Sequence, residues 1–341
     1  MILPANPSSS RSGKSLRFLL LRRQTPANLR RMTATVRVPA TTANLGPGFD
    51  CLGLALKLYN RVRVTRTQAP EVVITSPLAE ADRPGATMML TVAGAAFFQR
   101  VRKPAFGFEI SITGDVPLAR GLGSSVTARL GCVAALNALL GEPLDRPALL
   151  DIVTQLEGHP DNGAPAVYGG FTAAGMVGNE VRVQRFPVAT KAIFVTLIPD
   201  FEVPTPEARK LVPGQFSKAD TVHSLGRSAL ITGAFASGDL EQLRGLFDDR
   251  LHQPYREKLI PQLSAVIAAG ESAGAVGGWL SGSGSTIICL VTRGPGIAKK
   301  VARAMQKELP GSQIHLLAAD ARGYTVEKVN RTRTPVSKRR S

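Results

Sequence analysis

Aromatic residues are scarce in this chain. With 13 Phe, 4 Tyr and 1 Trp they make up only 5% of 341 residues, too few for the aromatic-studded basic face on which a single-strand binder stacks bases. Cysteine is scarcer still. Cys51, Cys132 and Cys289 lie far apart with no CxxC pair, so no disulfide framework is expected and a reducing compartment fits best. The four histidines, His159, His223, His252 and His315, fall at no metal-ligand spacing, and a zinc site is not expected. No apolar run approaches the roughly 18 residues that a membrane-spanning helix needs, which leaves no membrane partner to expect. Acidic residues are also few, 25 against 42 Lys and Arg, for a net charge of +17.

That excess looks like a nucleic-acid signature until it is placed along the chain. Seven of the positive charges fall within residues 1–33 and five within 329–341, with no acid in either stretch, so residues 34–328 carry a net charge of only +5. A mildly basic body suits the handling of phosphates, and no nucleic-acid partner is expected. Residues 1–33 are rich in Ser and Arg, the composition of an organelle transit peptide. The strand-like alternation begins only after Met32, so a dispensable extension explains them equally well. The protein is expected in the cytoplasm, with organelle import through residues 1–33 as the alternative. The Gly13-Lys14-Ser15 triplet imitates a phosphate loop but has neither the upstream glycine nor a preceding strand.

Hydrophobic periodicity predicts strands over 36–38, 54–64, 72–75 and 106–112, then helices over 87–101, 124–140 and 147–156. Strand character returns over 171–174, 181–186 and 192–198, followed by helices over 205–211, 218–234, 240–248 and 261–272. Strands over 276–280 and 286–291, a helix over 296–309 and strands over 314–318 and 324–328 complete the pattern. Helices and strands mix without strict alternation, which predicts an α+β protein of two domains and not a doubly wound sheet. The expected division is a basic extension over 1–33, domains over 34–187 and 188–328, and a basic tail over 329–341.

Four segments carry candidate chemistry. The run Pro117-Leu118-Ala119-Arg120-Gly121-Leu122-Gly123-Ser124-Ser125 leads directly into a helical pattern. Glycines let the backbone approach an anion closely, and a helix start offers unpaired N–H groups and a positive dipole end. Alone, the run is also an ordinary glycine turn with serine caps. The irregular loop 39–50 contains Asn44 and Asp50, an amide and a carboxylate suited to a small polar ligand, although both residue types are routine turn formers. The run Glu157-Gly158-His159-Pro160-Asp161-Asn162 gathers two carboxylates, an imidazole and an amide, which can supply a Mg²⁺ ligand, an alcohol-orienting group and a base. A solvated turn accounts for the same residues. The glycine loop 277–285 reads equally as a tight hairpin.

In this order and at these separations, the four segments resemble the GHMP kinase superfamily, and within it the homoserine kinases, over residues 34–328. The run 39–50 and the sequences Glu-Gly-His-Pro-Asp-Asn at 157–162 and Leu-His-Gln-Pro-Tyr-Arg at 251–256 carry the narrower resemblance. It implies the two-domain GHMP fold, an N-terminal ribosomal-protein-S5-domain-2-like domain and a C-terminal ferredoxin-like one. It also implies ATP and Mg²⁺ as cofactors and phosphorylation of the side-chain hydroxyl of L-homoserine. By this resemblance the triphosphate falls to Pro117 through Ser125, and Mg²⁺ to Ser125 and Glu157. The substrate ammonium falls to Asn44 and Asp50, and its carboxylate to Arg209 and Arg256, with Thr205 one helical turn before Arg209. His159 and Asn162 lie near the reacting hydroxyl, and Asp161 occupies the place of an aspartate base. The oligomeric state stays open, a homodimer included.

Some positions depart from the family pattern. Ser285 stands where Pro is common, Val126 and Gly163 replace a small and an aliphatic residue, and Ser224 replaces a frequent Asn. None removes a charged group from the expected site. Arg129, one turn beyond Ser125, reads first as a surface residue. The alternatives are another GHMP small-molecule kinase of the mevalonate type and a non-catalytic GHMP-fold binding protein. A mevalonate-type substrate has no ammonium to meet Asp50.

Overall fold

The computed structural model describes residues 31–332; the sequence readings for residues 1–30 and 333–341, the Gly13-Lys14-Ser15 triplet among them, lie outside the described residues. Strand β1 (Arg31–Ala43) alternates Ala34, Val36 and Val38 toward the core, and β2 (Leu52–Arg66) buries Val62 and Val64 between exposed arginines. This is the period-two pattern of a sheet covered on one face. The short β3 (Val72–Ile74), helix α1 (Arg83–Val101) and β4 (Phe108–Gly114) follow. Helix α2 (Ser124–Leu139) buries every residue from Val126 to Leu139 except Arg129. A helix apolar all round belongs at the centre of a core. Helices α3 (Arg146–Glu157) and α4 (Gly163–Tyr168) and the hairpin of β5 (Phe171–Val177) and β6 (Glu180–Phe186) complete this half.

The first sheet runs β1-β2-β4-β3 from its middle to one edge, with β5 and β6 added beside β2. Its pairings so far are antiparallel apart from β3 with β4. Strand β1 is far longer than the predicted 36–38 because Pro39 does not end it. The register shifts between Pro39 and Ala40, and a bulge tolerates the missing N–H.

The second half starts with β7 (Ile193–Ile198), then α5 (Thr205–Lys210), α6 (Lys218–Ser237), the one-turn α7 (Gln253–Arg256) and α8 (Leu263–Ser272). Strands β8 (Gly277–Leu280) and β9 (Ile287–Val291), helix α9 (Pro295–Glu308) and β10 (Gln313–Leu317) follow. The four strands order as β10-β7-β9-β8, all antiparallel. Counted within this half that is 4-1-3-2, the split arrangement of a ferredoxin-like sheet.

Two expectations need correction here. The predicted helix over 240–248 is only a 3₁₀ turn over Leu240–Leu243. Its helix-like apolar spacing arises because Leu240, Leu243 and Phe247 all reach the core between the two sheets from an irregular chain. The margins also move. Strand β1 starts inside the expected 1–33 extension, and β11 (Thr325–Thr332) enters the expected 329–341 tail. Moreover β11 pairs antiparallel with β1 in the first sheet, so the stretch 188–328 is not one unit in space.

The two halves meet around the chain's one tryptophan. Trp279 on β8 is fully buried, stacks on Phe247 at 4.7 Å and donates its indole N–H to the Thr42 hydroxyl of β1 at 2.9 Å. Thr42→Val keeps the shape and removes the acceptor, leaving a buried N–H unpaired. It is expected to lower unfolding stability by about 1–3 kcal/mol. Urea denaturation followed by tryptophan fluorescence measures this; an unchanged midpoint at unchanged slope would show that the bond contributes nothing.

Candidate active site

A cleft between the halves is lined by residues of all four sequence segments. Asn44, Asp50, Gly121, Gly123, Ser124, Ser125, Glu157, His159, Asp161, Asn162, Thr205, Arg209 and Arg256 face it, together with Ala119, Gly282 and Ser283. Four members of the expected phosphate loop do not. Leu122 is buried in the core, and Leu118 borders a neighbouring apolar groove. Pro117 does not line the cleft, and the Arg120 guanidinium turns to the Pro199 carbonyl at 3.1 Å and to Glu202.

The phosphate-loop backbone is held on several sides. Thr41 N–H donates to the Leu122 carbonyl at 3.1 Å, Thr286 N–H to Arg120 at 3.1 Å, and the Ser281 hydroxyl to Gly121 at 2.7 Å. Gly121 and Gly123 adopt left-handed φ values of +76° and +70°. A Cβ on Gly121 would stand 2.1 Å from the Ser281 carbonyl oxygen, and one on Gly123 2.2 Å from the Thr41 hydroxyl. Gly123 is also the N-cap of α2, and no side chain caps the helix there. The first N–H groups of a 16-residue helix are thus left for a ligand, and anions bind such ends.

Opposite, Glu157 ends α3 and accepts the Ser125 hydroxyl at 3.2 Å, while its other oxygen forms an ion pair with Arg129. Adjacent ligands of an octahedral Mg²⁺ lie about 3 Å apart, so Ser125 and Glu157 have the separation of two oxygens on one ion. Arg129 is therefore not a free surface residue: it fixes the carboxylate. Its spacing from Ser125 gave the hint, one helical turn, but only the fold brings Glu157 to it.

Segment 157–162 builds a second acidic group. Asp161 is 2% exposed; its Oδ1 accepts from the Asn162 backbone N–H at 2.8 Å and pairs with Nδ1 of His159. Burial pulls the His159 pKa down, but the hydrogen bond and charge of Asp161, with Asp50 behind them, outweigh it and leave the pKa raised. The Asn162 carbonyl accepts from Thr41 at 2.7 Å, which fixes its amide. Thr41 lies within the motif 39–50, yet nothing in the sequence marked it.

The groups expected to meet the two charges of a substrate are paired with each other. Arg209 donates two parallel bonds to Asp50, at 3.0 and 2.8 Å. Such bidentate pairing is the strong kind, and Asp50 accordingly raises the Arg209 pKa. Thr205, one turn earlier on α5, meets the Ser283 hydroxyl at 3.2 Å. Asn44 is committed to the loop itself. Its carbonyl accepts the Asp50 N–H at 3.0 Å, and its amide donates to the Gly282 carbonyl at 3.1 Å. Arg256 is 2% exposed and donates to that same carbonyl at 2.8 Å. Burial, with Arg209 nearby, pushes its pKa down to about 10. Asp50, His159 and Asp161 bring ligand atoms within 4.8 Å of one another, but each is already bonded to a neighbour, which describes an acidic cup more than a metal centre.

Sequence reasoning also missed the groove beside the phosphate loop, lined by Ile74, Met89, Leu90, Ile112, Val116 and Leu118 among others. It is the more apolar neighbour of a highly charged cleft. Among the described residues, no helix is long and apolar enough to cross a membrane.

An uncapped helix start on an α+β half, facing a ferredoxin-like half across a charged cleft, fits a small-molecule kinase of the GHMP class. The family models agree: GHMP kinases N terminal domain matches residues 89–170 and GHMP kinases C terminal matches residues 231–311. The chain is 39% identical over 299 residues to a homoserine kinase of Trichormus variabilis, covering 86% of this chain and 98% of that one. It is 42% identical over 276 residues to a homoserine kinase of Microchaete diplosiphon, covering 80% and 89%. The crystal structure of homoserine kinase from Cytophaga hutchinsonii aligns with a TM-score of 0.78 at 28% identity, over 90% of this chain and 100% of that one. The chain belongs to the homoserine kinase family.

Gly121→Ala tests the loop geometry. A displacement of about 1 Å at a reacting group costs roughly 100-fold in rate, and a Cβ here forces one. Steady-state turnover is expected to fall by about that factor, with a lowered melting temperature because the clash is with backbone at a left-handed φ; activity within threefold of wild type would mean the loop does not depend on this contact.

Proposed function

We propose that this protein transfers the γ-phosphoryl group of ATP to the side-chain hydroxyl of L-homoserine, giving O-phospho-L-homoserine. One observation carries it: an Asp50–Arg209 pair and the buried Arg256 share a cleft with the uncapped start of α2. A zwitterion needs groups of both signs, and a triphosphate needs the helix mouth. In this reading residues 34–187 form the ATP-binding part, joined by the returning strand 325–332, and the stretch between supplies Arg209 and Arg256.

The γ-phosphoryl end lies against the N–H groups of residues 121–125, with the base in the apolar groove next to Leu118. Ser125 and Glu157 hold Mg²⁺, which neutralises charge on the phosphate oxygens when bound. The substrate carboxylate engages Arg209 and Arg256. Its ammonium enters the acidic cup of Asp50 and Asp161, where Asn44 acts by fixing the loop. Thr41 locks the Asn162 carbonyl and Asp161 Oδ1 takes one amide hydrogen at 3.4 Å, so the second amide hydrogen orients the attacking hydroxyl. Transfer then proceeds in line through a loose transition state that requires little early proton removal.

Purified protein with Mg-ATP is expected to release ADP with L-homoserine and not with mevalonate; the reverse result, or no turnover with any amino alcohol, would reject this function. Because the transition state asks little of a base, Asp161→Asn is expected to slow single-turnover phosphorylation by about tenfold or less, near 1.4 kcal/mol of barrier. A loss of about a thousandfold would instead make Asp161 the general base.

A further inference from the structure

The motif 251–256 contributed only Arg256 to the expected substrate site, yet its most enclosed side chain is His252, with no exposed surface. Both ring nitrogens are occupied. Nε2 lies 2.9 Å from the Gly46 carbonyl oxygen, and Nδ1 lies 3.0 Å from Nη1 of Arg256. A carbonyl only accepts and a guanidinium only donates. The proton therefore sits on Nε2, and bare Nδ1 accepts from Arg256. The ring is neutral, since burial pushes its pKa down to about 4 against the opposing pull of Asp249.

The ring is also held on its face and from its own chain. It stacks on Phe49 at 5.2 Å with 22° between planes, and the Phe49 ring in turn lies near the guanidinium groups of Arg256 at 5.3 Å and Arg209 at 5.7 Å. Asp249 accepts the backbone N–H groups of Leu251, His252 and Gln253 at 2.8, 2.9 and 2.7 Å, and Gln253 accepts the Leu280 N–H at 2.7 Å. His252 thus bridges the loop that carries Asp50 and the helix that carries Arg256.

We propose that His252 is a positioning residue for the substrate carboxylate: its neutral ring aims the Arg256 guanidinium into the cleft and ties that aim to the 44–50 loop. The premise is the reading above, in which Arg256 binds the carboxylate. A guanidinium can swing widely about its four side-chain torsions. Here one Nη1 bonded to both Nδ1 of His252 and the Gly282 carbonyl leaves a single orientation. Order imposed before binding is entropy that the substrate need not lose.

Amide substitutions separate the two ends of the ring. Asn places an amide near the Nδ1 position, facing Arg256, and Gln places one near Nε2, facing Gly46. His252→Gln is expected to raise the homoserine KM at least about tenfold, the scale of one lost bond to a charged group, with the ATP KM within threefold. His252→Asn is expected to recover most of that loss. Equal effects of the two amides, or an unchanged homoserine KM in His252→Gln, would overturn the proposal. In the double variant with Arg256→Gln, the homoserine KM is expected to match Arg256→Gln alone. Arg256→Gln also keeps the premise separate: if it leaves the homoserine KM unchanged, the carboxylate assignment fails, whereas a raised KM there with normal behaviour of His252→Gln sinks only the positioning role. If an amide variant does not fold, ¹⁵N NMR of the wild-type imidazoles decides. A protonated Nε2 with a bare Nδ1 on His252, shifting on homoserine addition, supports the role; the other tautomer, or no response to homoserine, refutes it.

Discussion

The carbonyl of Gly282 receives the amide of Asn44 at 3.1 Å and the guanidinium of Arg256 at 2.8 Å, while the residue before it holds Gly121 through a hydroxyl at 2.7 Å. Two of these bonds fasten the turn between β8 and β9 to the loops of Asn44 and Gly121, which begin on the other sheet, and the third ties it to α7 of its own half. Neither half forms the cleft alone. Each bond contributes only about 1 kcal/mol net, but the groups are buried, and leaving any of them unmade costs more than making it gains. Small glycines are what allow the backbones to come this close: at 121 a single added carbon would overlap the Ser281 carbonyl.

The core beneath this contact has the same character. Phe171 on β5 stacks on Phe235 of α6 at 4.0 Å, and Trp279 reaches across to Thr42. Leu45 from the first loop and Leu52 at the start of β2 pack in the same cluster as Phe194 and Ile288 from the second sheet. Apolar contact sets the distance between the halves, and the polar contacts above it set their register. Site geometry is therefore coupled to the packing of the whole molecule.

What could be read from the sequence was local. The start of α2 was legible because glycine and serine followed by an apolar run signal a helix mouth. Asp50 and Arg209 were each legible as charged residues in suggestive company, but they are 159 positions apart and only the fold makes them a bidentate pair. Thr41 and Asn162, separated by 121 positions, were legible as motif members and not as partners. The length of β1 was misread because proline ordinarily ends a strand, and nothing in a sequence reports a bulge. The return of β11 to β1 was equally invisible: 324–328 was legible as a strand without a partner, and its basic continuation past 328 looks like a solvated tail until a partner edge exists for it.

Charge explains how such a cleft can stay folded without its ligands. Arg209 is matched by Asp50 and Arg129 by Glu157, so two guanidinium groups are neutralised by carboxylates at the site itself, and His159 is hydrogen-bonded to Asp161. Among the described residues, Arg256 has no carboxylate within ion-pair distance. Its nearest bonds go to a neutral ring and a carbonyl, and burial weakens its hold on the proton. A buried cation left without an anion is costly, and an evolving core would be expected to remove it unless something returned the lost interaction. A ligand carboxylate would do so. In the reading proposed above, the guanidinium without an ion-pair partner is where a ligand anion would restore the missing interaction, which ties the proposed preference for an acid to the fold's own charge balance.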